Sequence, residues 1–452
     1  MKRETVNIIQ LGLVSLFILV AFNSQSFIQE AVIESASLKT VIDKHAGYNS
    51  QALIYLVFTF ANLIAAPIVD FISPKWSLAI GGSFYVLFLV GFLFLNEWFL
   101  YASSCLIGAG AALVWSGQGA YLASNSDRSS SSRNSSIVWC MTQGSLIFGG
   151  LFMLLIFKIY GTSNTIDDSA TMVLYSVFTA LCALGCIVAM TLRPPQSSSE
   201  KTKTTSLSER IQSTFTVMRR PNMMVLLVVF AHTGLTLSFR TVIFPSCISF
   251  TKLLGDDRHS LVAINCICSG VGQCSAGLIF GALSARIDKL KPFMIFTLGS
   301  TVQIATMVLI YINFPSTANF GTTTDIGLIT PRASLVWISG LLLGFADSTC
   351  NSQAGPSFYF LVNYPQIFSH LVIYYSNCAA QGFALFRLYQ SALTCVCFFF
   401  SSKLSLPWHL TAMTITSIIA SVAFTIAEKR SASNSKVFDS DAVIEKEEAN
   451  IQ

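Results

Sequence analysis

The stretch Leu335–Gln353, LVWISGLLLGFADSTCNSQ, begins apolar and then sets a carboxylate among hydroxyl and amide side chains. Asp347, Ser348, Thr349, Asn351, Ser352 and Gln353 are polar within seven positions. A helix spreads such a run around its axis and cannot turn all of it away from lipid. Asp347 and Asn351 are one turn apart and share a face. A carboxylate inside an apolar span is costly, needs a partner and marks a functional position. The partner at matching depth is Arg240, in HTGLTLSFRTVIFP. At about 1.5 Å per residue, Arg240 lies about 12 Å and Asp347 about 18 Å from the same membrane boundary. An arginine side chain covers that difference. Two readings stay open: an ion pair that locks two helices, or a pair that opens during a transport cycle or meets a substrate charge. His232, two turns from Arg240, reads as a packed polar residue rather than a proton relay.

A second group lies in GAGAALVWSGQGAYLASNSD. Gly108, Ala111, Trp115, Gln118 and Leu122 share a helical stripe, and Gly108, Gly110 and Ala112 allow close approach of a neighbouring backbone. Gln118 in lipid would lose its hydration, so it faces protein or water. Tight packing with Trp115 filling a gap is one reading; a cavity wall is the other. The candidates for a substrate cavity are therefore Trp115, Gln118, Arg240, Asp347, Asn351 and Gln353. No nucleophile elbow, phosphate loop or metal cluster appears, so an enzyme, a cofactor and a bound metal are not expected. The twelve cysteines lie mostly in apolar runs, where cysteine packs as a small apolar residue, and the C-x-C pairs lack a second pair at metal-site spacing.

These residues need helices in a bilayer to position them. The chain has 452 residues, 53% hydrophobic and 11% charged, whereas soluble domains carry charge at about a quarter of positions. Twelve apolar runs are long enough to cross roughly 30 Å of hydrocarbon as helices: 6–28, 51–72, 77–95, 98–122, 136–158, 170–192, 222–247, 259–283, 293–312, 333–354, 383–402 and 406–427. The expected fold is an all-α membrane protein with the lipid bilayer as its first partner. The first run follows Lys2 and Arg3 and lacks a clear cleavage site in AFNSQSF, so it reads as an uncleaved signal anchor.

Setting aside Arg240 and Arg387 within the spans, eighteen lysines and arginines fall on the side of the N-terminus and seven opposite. By the positive-inside rule, both termini are expected in the cytoplasm. The formal charge of +5 thus reflects topology, and nucleic acid is not an expected partner. Six spans precede the polar segment 193–221 and six follow it. The expected domains are a bundle over 1–192, a cytoplasmic linker over 193–221, a second bundle over 222–427 and a cytoplasmic tail over 428–452. Leu207, Ile211, Phe215 and Met218 lie on one helical face of the linker, which reads either as a short amphipathic helix on the membrane surface or as an irregular loop.

Two six-helix bundles joined by a long linker is the plan of the major facilitator fold, whose halves are repeats about an axis along the membrane normal. In that fold the first and fourth helices of each half line the central cavity, here spans one, four, seven and ten. Gly281–Lys291 resembles the superfamily's loop signature, with Ala285 standing where the aspartate belongs. The counterpart near Asp70 and Lys75 is more degraded. The motifs IYLVFTFANLI, GAGAALVWSGQGAYL, RNSSIVW, GFADSTCNSQ and FRLYQS together resemble the uncoordinated-93-like branch of the major facilitator superfamily, over about Asn7 to Glu428. That resemblance implies the twelve-span fold. The branch holds potassium-channel regulatory subunits, receptor-trafficking chaperones and transporter-like members without an assigned substrate. Two functions are thus carried forward: a secondary transporter of a small solute, or a non-transporting partner of another membrane protein. Similar proteins pass from Asn-Ser-Gln to Tyr-Ser in fewer residues. The extra segment near 354–372 reads as a re-entrant or interfacial insertion, or as an intervening sequence retained in the gene model.

Overall fold

The computed structural model describes residues 3–126, 130–161, 165–193, 207–284, 292–351 and 379–449. Among them, twelve helices are long and apolar enough to cross a membrane. The first half holds α1 (Arg3–Ser37), α2 (Ala46–Ile72), α3 (Pro74–Gly91), α4 (Glu97–Ser124), α5 (Ser131–Tyr160) and α6 (Asp168–Met190). A linker helix, α7 (Leu207–Met218), precedes the second half: α8 (Pro221–Ser238), α9 (Phe244–Phe250), α10 (Arg258–Ser284), α11 (Pro292–Asn313), α12 (Ala333–Asn351), α13 (Ala379–Ser401) and α14 (Leu406–Ala449). Helix starts are marked chemically. Pro74 and Pro221 stand in the first turn, where a missing N–H costs nothing, while Asn96 and Asp167 accept from the backbone N–H groups of Phe99 and Ser169.

Each group of six helices packs within itself and against the other. In the first, α1 packs on α5 and α6, and α4 packs on α2 and α3; in the second, α10 packs on α12, and α8 on α13 and α14. Contact between the halves runs mainly through α5 with α10 and α2 with α13. Close approach is built into these seams: a Cβ at Gly108 of α4 would stand 2.5 Å from the carbonyl oxygen of Ile54 in α2.

Two sequence expectations change and one open reading is decided. The first span continues beyond residue 28 to Ser37, because the polar side chains that end its hydropathy signal face protein. Gln29 donates to the hydroxyl of Ser50 (3.0 Å) and accepts from Gln51 (2.5 Å), and the buried Glu30 accepts from the N–H of Tyr48 at 2.8 Å. The seventh span is not one regular helix. Between α8 and α9 the turn Phe239–Ile243 is a π turn, in which the N–H of Phe244 donates to the carbonyl of Phe239. Pro245 has no N–H to offer the carbonyl of Thr241, so α-helical pairing cannot continue there. The linker, third, contains a helix that docks on protein. Val217 is buried, and Gln381 of α13 donates to Ser213 at 3.4 Å.

At one end of the bundle Asn7 donates to Asn125 at 2.7 Å. The opposite end is latched across the halves. The hydroxyl of Tyr48 donates to the carbonyl of Asn319 at 3.1 Å. Glu34 accepts from the N–H and hydroxyl of Thr322 at 3.0 and 2.9 Å, and Lys158 meets Asp257 at 2.6 Å. Removing the carboxylate in Glu34→Ala frees the Thr322 amide. At about 1 kcal/mol per net hydrogen bond, exchange of backbone hydrogens over 317–325 rises roughly five-fold. Unchanged exchange there would show that the latch contributes nothing.

Candidate functional site

A central cavity of ≈ 150 Å³ opens between the halves. All four helices expected to line it do so: α1 through Phe22 and Asn23, α4 through Trp115, the π turn through Arg240, and α12 through Asp347. Its wall also takes Tyr55 and Phe58 from α2, Trp139 and Gln143 from α5, Gln273 from α10, and Phe386, Arg387 and Gln390 from α13. A second cavity of ≈ 340 Å³ shares Trp115 and Arg387 and continues past Gln118 and Leu122.

The structure brings Arg240 and Asp347 together. Nη2 of Arg240 lies 3.5 Å from Oδ2 of Asp347, with the two side chains 7% and 8% exposed. The carboxylate also accepts from Nε2 of Gln273 at 2.7 Å, and Gln273 in turn accepts from Gln143 at 2.6 Å. A polar chain thus runs from α5 of one half through α10 and α12 to the π turn of the other. Arg240 is loosely held: 3.5 Å exceeds the 2.7–2.9 Å of a charge-assisted hydrogen bond, Nη1 reaches Ser269 only at 3.4 Å, and the buried Nε has no partner among the described residues.

Glycines position this chain. Gly340 and Gly344 of α12 face α10, at Asn265 and at the Ser269 backbone, while Gly272 of α10 faces the carbonyl of Leu341. A small-xxx-small pattern of this kind lets backbones meet, and it sets Ser269 and Gln273 one step from Arg240 and Asp347.

The other candidates divide. Trp115 lines both cavities, and Gln118 is 6% exposed, lines the second and leaves its Oε1 unpaired among the described residues. Asn351 ends α12 but its side chain, like Gln353 and the segment near 354–372, lies outside the described residues, as does most of the Gly281–Lys291 loop. The polar run does not turn one way, since Thr349 packs over Gly299 of α11. His232 is a packed polar residue, its Nδ1 3.0 Å from the hydroxyl of Thr416.

One residue missing from the sequence candidates is central. Arg387 of α13 lays its guanidinium over the Trp115 ring at 4.7 Å and donates to Gln390 at 3.2 Å. The signal that picks out Asp347, a charge within an apolar span, was equally present in FRLYQS.

Twelve spanning helices in two halves around a central cavity define an integral, multi-pass protein of the major facilitator type. Solved structures agree in fold: the nucleoside transporter NupG superimposes with a TM-score of 0.63 at 11% identity, over 93% of this chain and 99% of that one. The fucose:proton symporter FucP of E. coli gives 0.61 at 12% identity, over 94% and 99%. Within that class the chain belongs to the UNC-93 family, whose model, described as ion channel regulatory protein UNC-93, matches residues 38–425. Among similar proteins are UNC93-like protein MFSD11 of Xenopus laevis, 28% identical over 94% of this chain and 96% of that protein, and UNC93-like protein 3 of Arabidopsis thaliana, 22% identical over 84% and 78%.

Proposed function

We propose that this UNC93-like protein is a secondary transporter that moves a small solute through the central cavity. The observation that carries this reading is the Arg240–Asp347 pair, buried at 3.5 Å in the cavity wall and joined through Gln273 to Gln143 of the other half. Alternating access moves one half against the other around a central site, and a chain that crosses the halves must break or re-form in that motion. Trp115, Gln118, Arg240 and Asp347 form the site; Asn351, at the end of α12, and Gln353 belong to the same proposal. Uptake of a solute library into vesicles holding the purified protein tests it. Saturable uptake that falls in Asp347→Asn at equal amounts of folded protein supports the proposal, and no uptake above empty vesicles across the library overturns it.

The fold is used without chemistry on the solute, so no catalytic step is assigned. The description of the family model supports one competing reading, a regulatory subunit of an ion channel that does not itself transport. Stable co-purification of a channel with an uptake-inactive protein would favour it.

The proposed arrangement has bundles over 1–192 and 222–427, with the linker 193–221 and both termini in the cytoplasm, as the lysine and arginine asymmetry supports. Epitope tags at residues 1 and 452 should stain only after permeabilisation, and staining of either in intact cells with the protein at the surface would reverse the assignment.

A further inference from the structure

Charge in the cavity does not balance. Among the described lining residues, Arg240 and Arg387 are cationic and Asp347 is the one carboxylate, already within 3.5 Å of Arg240. No carboxylate forms an ion pair with Arg387 among the described residues. Its neighbours are the Trp115 and Phe386 rings, at 4.7 and 5.7 Å, and the Gln390 side chain. Ring faces and one amide oxygen stabilise a guanidinium but leave most of its five N–H donors unused. A cation held in a confined, low-dielectric wall attracts an anion far more strongly than one in bulk water, and a guanidinium matches the two oxygens of a carboxylate.

The remainder of the wall describes the rest of the ligand. Phe22, Phe58 and Phe386 offer apolar and aromatic surface, and ≈ 150 Å³ holds a compact body.

We propose that the cavity binds a small organic monocarboxylate, its carboxylate on Arg387 beside Trp115 and its apolar part against the aromatic wall. This rests on the cavity being a solute site, as the transporter reading requires, and it names the class of solute. Asp347 stays with Arg240, so an amine has no free counter-charge and is disfavoured.

The test uses the purified full chain and three matched probe sets of equal shape: butyrate, butyramide and butylamine; benzoate, benzamide and benzylamine; and phenylacetate with its amide and amine. Thermal unfolding is followed at millimolar probe. At least one carboxylate should raise the midpoint in a saturable manner while its amide and amine do not. Arg387→Gln should abolish that response, and Arg387→Lys, which keeps the charge and loses the fork, should weaken affinity roughly ten-fold. Should Arg387→Gln fail to fold, Arg387→Lys and the isostere comparison still decide. The proposal is overturned by silence from all three carboxylates, by equal responses to carboxylate and amide, or by an undiminished response in Arg387→Lys. Uptake separates the two ideas. Arg387-dependent carboxylate binding without uptake sinks transport and keeps the anion site; uptake of neutral or cationic solutes alone does the reverse.

Discussion

Asp347→Asn and Arg240→Gln should each sharply lower the yield of folded protein, and the double variant should recover part of the loss. Each single change leaves one buried charge without its partner, which commonly costs about 3–5 kcal/mol, whereas removing both charges together is often much milder. The pair is 7% and 8% exposed, so solvent does little to screen what remains. Two neighbours soften the effect unequally. Gln273 at 2.7 Å can still hydrogen-bond an asparagine at 347, whereas Ser269 at 3.4 Å offers a glutamine at 240 little. A double-mutant cycle on thermal or denaturant unfolding reads the interaction, expected at about 1–3 kcal/mol. Additive losses would mean that the charges do not depend on each other.

The second large effect is expected at Gly344, where Val should cost more than Ala and both should destabilise. A Cβ there falls on the Ser269 backbone of α10, and the reciprocal contact sets Gly272 on the Leu341 carbonyl. Backbone cannot swing aside as a side chain can. The helices must separate, at or above the upper end of the 1–3 kcal/mol typical of overpacking. Separation also pulls Ser269 and Gln273 away from the ion pair, so Gly344→Val should erase most of the Arg240–Asp347 coupling in the cycle above. A variant with unchanged melting temperature and intact coupling would show that α10 and α12 do not meet as closely as described.

The spans were legible because each must supply a long apolar run to lipid, and hydropathy reads that requirement directly. Where a helix meets protein instead, the reading stops early: Gln29 and Glu30 are satisfied by α2, so nothing in composition marks the continuation of α1 to Ser37. Arg240 and Asp347 match in depth because a shared membrane boundary ties distant positions to one ruler. It says nothing of azimuth, and the role of Gln273 therefore lay beyond it: the amide belongs to α10, and only the packing of α10 on α12 aims it at the carboxylate. Arg387 was different. Its charge was visible in FRLYQS, but attention to the first and fourth helices of each half passed over α13, which the fold places against α2 and in the cavity wall.

The wide turn at Phe239–Ile243 has a mechanical consequence. An α-helix that carries one extra residue in a single turn holds a movable defect, and each step of that defect along the chain turns the residue it passes by about 100° around the axis. Arg240 occupies the defect itself. A step of that defect past residue 240 would therefore turn the guanidinium out of line with Asp347. Bending a complete helix would instead break several hydrogen bonds at once. Pro245, by denying Thr241 its usual donor, keeps the defect from annealing in the direction of α9, and it biases any migration towards α8. Among the described residues, the one wide turn of the seventh span is thus also the turn that carries its charge.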